Sequence, residues 1–119
     1  MIRIRGLNHI HLRVRDLDRS VRFYTRAFGL REKFREGESL VFLGTPGGFD
    51  TITLNQEAGP AGDMGGVLHF GFALAEGQGL DAAVEEVERA GGRLIDRGEH
   101  APGMPYAYVA DPDGYVIEL

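Results

Sequence analysis

The 119-residue chain contains no cysteine. That excludes disulfides, thiolate metal ligands and thiol nucleophiles, and it suits a reducing cytoplasm, the compartment expected for this protein. No apolar run approaches the roughly 20 residues that span a bilayer, so no membrane segment is expected. The N-terminal MIRIRGLNHI has neither the apolar core nor the cleavage site of a secretory signal. TPGG (residues 45–48) lacks the Gly-Lys-Ser/Thr that completes a phosphate loop, and reads as a hairpin turn. There is no Gly-x-Ser-x-Gly nucleophile elbow, and Ser20 and Ser39 have no triad context.

A content of 43% hydrophobic and 26% charged residues suits one soluble globular domain over residues 1–119. The net charge of −5 hides an asymmetry: residues 1–35 hold ten basic side chains against three acidic, and the rest hold three against 15. Arg19, Arg22 and Arg26 follow helical spacing, which reads as a solvated helix face, so no nucleic-acid partner is expected. Opposite charge in the two halves suits their docking in a homodimer.

The chain reads as two copies of one unit. In NHIHLRVRDLDRSVRFYTRAFGL (residues 8–30) a strand, His9 to Val14, leads to a helix capped by Asp16 or Asp18. Leu17, Val21, Tyr24 and Phe28 form its apolar stripe, and Gly29 ends it. VLHFGFALAEGQGLDAAVEEVERAGGRLI (residues 67–95) repeats the plan: a strand from Val67 to Leu74, then a helix with Leu80, Ala83 or Val84, Val87 and Ala90 inward, stopped by Gly91-Gly92. FLGTPGGFDTITL (residues 42–54) lies over YVADPDGYVIEL (residues 108–119), each two strands around a Pro-containing turn, with Thr53 on Glu118. The expected fold is α+β, two βαβββ modules over about 1–58 and about 65–119 whose sheets curl into an open cup. Neither module buries both sheet faces alone.

Strand side chains alternate between faces. Ile10, Leu12 and Val14 form one apolar face of the first strand, with His9, His11 and Arg13 opposite; Leu68, Phe70, Phe72 and Leu74 are the core side of its counterpart, with His69, Gly71 and Ala73 opposite. Thus His9, Thr53, His69 and Glu118 all face away from the helices. Each alone reads more simply as a surface or structural residue; their symmetry points to a shared site. Two imidazoles and a carboxylate form a facial triad that leaves coordination positions open. This donor set suits Fe(II), Mn(II), Zn(II), Ni(II) or Co(II). An imidazole can take up and release a proton near neutral pH, which makes His11 the candidate acid–base group. Arg13, further along the same face, is a candidate contact for an anionic substrate.

NHIHLRVRDLDRSVRFYTRAFGL, LHFGFAL (residues 68–74) and DPDGYVIEL (residues 111–119) together resemble the vicinal oxygen chelate superfamily, which includes glyoxalase I, extradiol dioxygenases, fosfomycin-resistance and bleomycin-resistance proteins. The resemblance covers nearly the whole chain and implies paired βαβββ modules around one divalent metal held at His9, His69 and Glu118. It also implies a site built between chains in a homodimer, His9 from one and His69 with Glu118 from the other. Glyoxalase-type members usually have a fourth ligand, commonly Glu, where Thr53 stands. With three ligands the resemblance leans to a ring-cleaving dioxygenase, an oxidoreductase, over an isomerase or lyase, acting on a small oxygen-rich molecule. Tyr108 then resembles the tyrosine beside the dioxygenase metal site and takes a catalytic role. His100 stands roughly where an acid–base histidine occurs, and joins Arg13 and Thr53 as a substrate contact. Gln56 or Glu57 would replace Thr53 as ligand only if the register slipped. The rival readings are a metal-free drug-binding protein resembling bleomycin-resistance proteins, and a fosfomycin-type thiol transferase. The latter usually has further basic residues around and beyond the last strand, whereas this chain ends at Leu119.

Overall fold

A computed structural model describes residues 1–119. The first unit is β1 (His9–Val14), α1 (Leu17–Phe28), β2 (Arg31–Glu36), β3 (Leu40–Gly44) and β4 (Thr51–Gln56). The second is β5 (Phe70–Gly71), α2 (Leu80–Arg89), β6 (Arg93–Ala101), β7 (Met104–Ala110) and β8 (Val116–Glu118). Each unit builds a four-stranded mixed sheet, in the orders β1-β4-β3-β2 and β5-β8-β7-β6. The pairs β1–β4 and β5–β8 are parallel and the others antiparallel. The fold is α+β, two βαβββ units with open sheets, as the repeat predicts.

Local chemistry sets the helix ends. Asp16 caps α1 by accepting from Arg19 N at 2.9 Å, and Gly29 closes it in the left-handed region (φ 65), where a side chain would be strained. Gln56 adds a second cap, its Oε1 accepting from Leu17 N at 2.6 Å. The buried side of α1 is broader than the expected stripe: Ser20 and Phe23 join Leu17 and Tyr24 inside, while Val21 and Phe28 are half-buried. The cause is a double duty, since α1 packs on its own sheet and on α2. Gly92 serves the same junction. A Cβ there would meet Ala110 O at 2.6 Å and Phe23 Cε2 at 2.8 Å.

One core joins Leu12, Val14, Val41, Leu43, Ile52 and Leu54 of the first sheet to Val109 and Ile117 of the second through Phe23, Tyr24, Val84 and Val87 of the helices. Burying each of the larger of these side chains contributes about 1.5–3 kcal/mol. The expected strand Val67–Leu74 is shorter, with only Phe70 and Gly71 in the ladder. Leu68, read as core, is 79% exposed, and Val67 is 53% exposed. Here β5 has a single neighbour: Phe70 pairs with Ile117 and Gly71 with Glu118, after which only Phe72 N reaches Glu118 O. Phe70 and Phe72 still pack against the core.

The Asp111–Tyr115 turn locks the units together. Asp111 Oδ1 accepts from the N–H groups of Asp113, Gly114 and Tyr115, each at 2.9 Å, while Oδ2 accepts from Tyr24 Oη at 2.8 Å. Asp113, fully buried at its side chain, accepts from Arg15 and Arg19 through Oδ1 and from Ser20 through Oδ2. Tyr115 Oη donates to Arg13 O at 2.7 Å. Three residues of one turn thus bind the β1–α1 corner of the other unit.

Burial raises the Asp111 carboxyl above the ordinary aspartate range, against the lowering effect of its donors; burial and Asp111 push Tyr24 well up. Asp113→Ala should cost about 2–3 kcal/mol, because it strands donors aimed at a charged acceptor; a urea midpoint equal to wild type would contradict this. For Asp111 the folded pKa lies above the unfolded value of about 4. Its stabilising contribution is therefore complete below that unfolded value and is lost as pH rises through the raised folded one. Asp111→Asn should flatten that segment of the stability–pH curve, measured as urea midpoint against pH.

Candidate metal centre

Each helix covers one face of its sheet, and the reactive residues lie on the other. In the second sheet, Glu118 stands between Gly71 and Tyr108 in register. His69 precedes β5 and turns to the same carboxylate: its Nε2 lies 2.9 Å from Glu118 Oε2. Two ligands at about 2.0–2.2 Å from one ion, at right angles, stand about 3 Å apart, so this spacing fits adjacent ligands. His100 Nε2 reaches the other oxygen, Oε1, at 2.5 Å. The hydrogen bond from His100, then the charges of His100 and His69, hold the Glu118 carboxyl below its ordinary range. Desolvation and the nearby Glu118 raise the Tyr108 phenol. A Cβ at Gly71 would crowd the neighbouring strand, 3.0 Å from the Glu118 backbone oxygen and 3.4 Å from Glu118 Cβ.

The first sheet carries the rest. His9 and His11 are exposed, His9 opposite Thr51 and His11 opposite the buried Thr53. His9 Nδ1 lies 2.8 Å from Asn8 Oδ1, and Asn8 Nδ2 donates to Phe49 O at 3.1 Å. With the Asn8 amide so oriented, its oxygen accepts from His9 Nδ1, which leaves Nε2 with a free lone pair. A ligating histidine needs that tautomer.

Within one chain, His69, Glu118 and His100 come together and His9 does not join them. No group of three or more His, Cys, Asp or Glu side chains is placed to hold an ion within the chain. Arg13, expected at the substrate, is tied to the 57–60 loop: Nε and Nη2 donate to Glu57 Oε1 at 3.1 and 2.9 Å, and Nη1 to Pro60 O. The register does not slip, because Val14 pairs with Gln56. Gln56 caps α1 and Glu57 holds Arg13, so both substitutes for Thr53 are engaged elsewhere.

Two contributors are not evident from sequence. Tyr106 stacks on His100 (centroids 4.3 Å apart, 22° between planes) and leans on Tyr108 at 5.0 Å, which in turn lies 5.0 Å from His69. Its signal was the alternation with Tyr108 along one strand face. Asn8 was signalled only by its place beside His9.

Fold and face together define a paired-βαβββ protein with an imidazole–carboxylate cluster on an open sheet. The chain belongs to the Glyoxalase/Bleomycin resistance protein/Dioxygenase superfamily, whose model matches residues 6–119. It is 34% identical over 124 residues to a lactoylglutathione lyase of Arabidopsis thaliana, covering 93% of this chain and 42% of that protein. The chain thus spans about two-fifths of the plant relatives it matches. A probable lactoylglutathione lyase of Vibrio parahaemolyticus is 33% identical over 122 residues, covering 93% of this chain and 86% of its own length. The fold superposes on the fosfomycin resistance protein FosX of Listeria monocytogenes, solved with Mn(II) and dihydroxypropylphosphonic acid, with a TM-score of 0.79 at 24% identity, covering 98% and 90% of the two chains. No helix is long and apolar enough to cross a membrane.

Because His69 and Glu118 stand off the core, each truncated to Ala should shift unfolding stability by no more than about 1 kcal/mol. Thermal and urea melts measure it, and a loss comparable to that of Asp113→Ala would mark the pair as structural.

Proposed function

We propose that the protein is a metal-dependent lyase or isomerase acting on a small oxygen-rich molecule, at a site completed by two copies of the chain. His9 of one subunit and His69 with Glu118 of the other hold one divalent ion. The observation that carries this reading is the 2.9 Å approach of His69 Nε2 to Glu118 Oε2 on an open sheet face. His9 holds the matching place on the first sheet, its Nε2 left free by Asn8. The excess of basic side chains in residues 1–35 and of acidic ones thereafter favours setting the first unit of one copy against the second unit of another.

The ion, when bound, supplies Lewis acidity to a substrate that presents two neighbouring oxygens. The chain's own residues do the rest. His11, beside Thr53 on the open face, takes a proton from the carbon next to a carbonyl at one imidazole nitrogen and returns it to the adjacent position. Tyr108 donates a hydrogen bond from a phenol kept neutral by its surroundings. His100 holds Glu118 in place. The names of the relatives favour lyase chemistry over the ring cleavage expected from the three-ligand pattern, and a hemithioacetal is the substrate class to test first.

Protein purified without chelators or a metal-affinity tag should contain about one ion per site, and His9→Ala or Glu118→Ala should lose it while staying folded. When these two variants are mixed in equal amounts and allowed to exchange subunits, half the dimers combine one of each, and every such dimer has one intact site. About one quarter of the wild-type metal should return. No recovery would place the whole site within one chain. Hemithioacetal turnover would support the lyase; oxygen uptake with catechols by the Fe(II) form would replace it with a dioxygenase. Absence of stoichiometric metal in the wild type would favour a binding protein.

A further inference from the structure

His100 stands in a built position. The β6–β7 register runs Gly98 to Tyr106 and Glu99 to Pro105, then shifts so that Ala101 faces Met104. His100 is the residue passed over at that irregularity, and a bulge re-aims a side chain that regular pleating would direct elsewhere. Tyr106 lies flat under its ring. Tyr106 in turn occupies space that only glycine leaves, since a Cβ at Gly98 would sit 2.9 Å from the Tyr106 hydroxyl and 3.1 Å from its ring. Bulge, glycine and stacked phenol together set one imidazole at 2.5 Å from Glu118 Oε1. Glu118 Oε2, the oxygen beside His69, is left to a metal.

Resting on the metal-dependent reading above, we propose that Gly98, Tyr106 and His100 form a positioning device for Glu118. His100 donates to the non-ligating oxygen of the carboxylate and Tyr106 fixes the orientation of His100. His100 is therefore neither a metal ligand nor a substrate contact. Asn8 does the equivalent for His9 on the other sheet. Outer partners of metal ligands typically change affinity by about 10–100-fold when removed, without changing the number of ligands. A carboxylate free to rotate loses the orientation that makes it a good ligand.

The test is Zn(II) affinity, measured by competition with a chromophoric chelator on the full chain, with X-ray absorption of the Zn(II)-saturated protein counting imidazole ligands. His100→Gln, Tyr106→Leu and Gly98→Ala should each weaken Zn(II) binding by about 10–100-fold, while Tyr106→Phe, which keeps the ring, restores wild-type affinity. The imidazole count should stay unchanged in His100→Gln. Wild-type affinity in both His100→Gln and Tyr106→Leu would overturn the proposal, and so would the loss of one imidazole in His100→Gln, which would make His100 a ligand. If Tyr106→Leu fails to fold, as read by its urea midpoint, Gly98→Ala and His100→Gln decide. A wild-type protein that binds no Zn(II) or other divalent ion overturns the metal reading and this device with it. A wild type that binds the ion, with no weakening in the variants, overturns the device alone.

Discussion

The carboxylates of Asp111 and Asp113 determine how the two βαβββ units meet, and through that where each reactive side chain points. Both sit in one turn of the second unit, and both are satisfied by the β1–α1 corner and by α1 of the first. Burying two carboxylates is unfavourable unless their lone pairs find donors. Here Tyr24, Ser20, Arg15, Arg19 and four backbone N–H groups supply them. The relative placement of the units is thus set by directional bonds, and the apolar packing of α1 on α2 follows. Once the helices face each other, His9 and His11 of the first sheet and His100 of the second are left exposed.

That placement bears on the divided site proposed above. His9 and His69 hold equivalent positions in their units, yet the single chain brings only His69 to Glu118. An ion on His69 and Glu118 alone would keep most of its shell in water. On the proposed reading, the additional imidazole is His9 presented by another copy of the chain. Sites divided in this way couple metal binding to assembly: each ion stabilises the association, and each association completes two sites.

Much of this was legible in the sequence because it rests on local periodicity. The period of two along His9–Val14 separated His9, His11 and Arg13 from Leu12 and Val14, and the structure keeps that division. Asp16 and Gly29 mark the helix ends by chemistry that acts within one turn. What stayed hidden depends on distant partners. Asp111 and Asp113 read as an ordinary turn because nothing nearby shows that Tyr24 and Ser20, 87 and 93 residues away, bind them. Val67 and Leu68 read as strand because their residue types favour it, but β-propensity yields to the supply of a pairing edge, and β8 offers one for only a short length. Arg13 sits on the predicted face, yet its charge is consumed by Glu57 from the connecting loop. Tyr106 went unremarked because stacking on His100 requires the irregularity in β6, which no local pattern announces.

Thr53 brings the chemistry back to charge. A divalent ion held by two neutral imidazoles and one carboxylate retains a net charge of about +1, whereas a second carboxylate at that position would cancel it. The less neutralised ion attracts substrate oxygens more strongly and lowers the cost of negative charge developing on them. The same substitution removes the group best placed to act as a base, since Thr53 has no proton affinity in the useful range. His11 lies opposite Thr53 in the β1–β4 ladder and is exposed. On the proposed reading, an uncharged side chain at position 53 leaves the ion the stronger electrophile and leaves proton transfer to another group, the role proposed for His11 on the neighbouring strand.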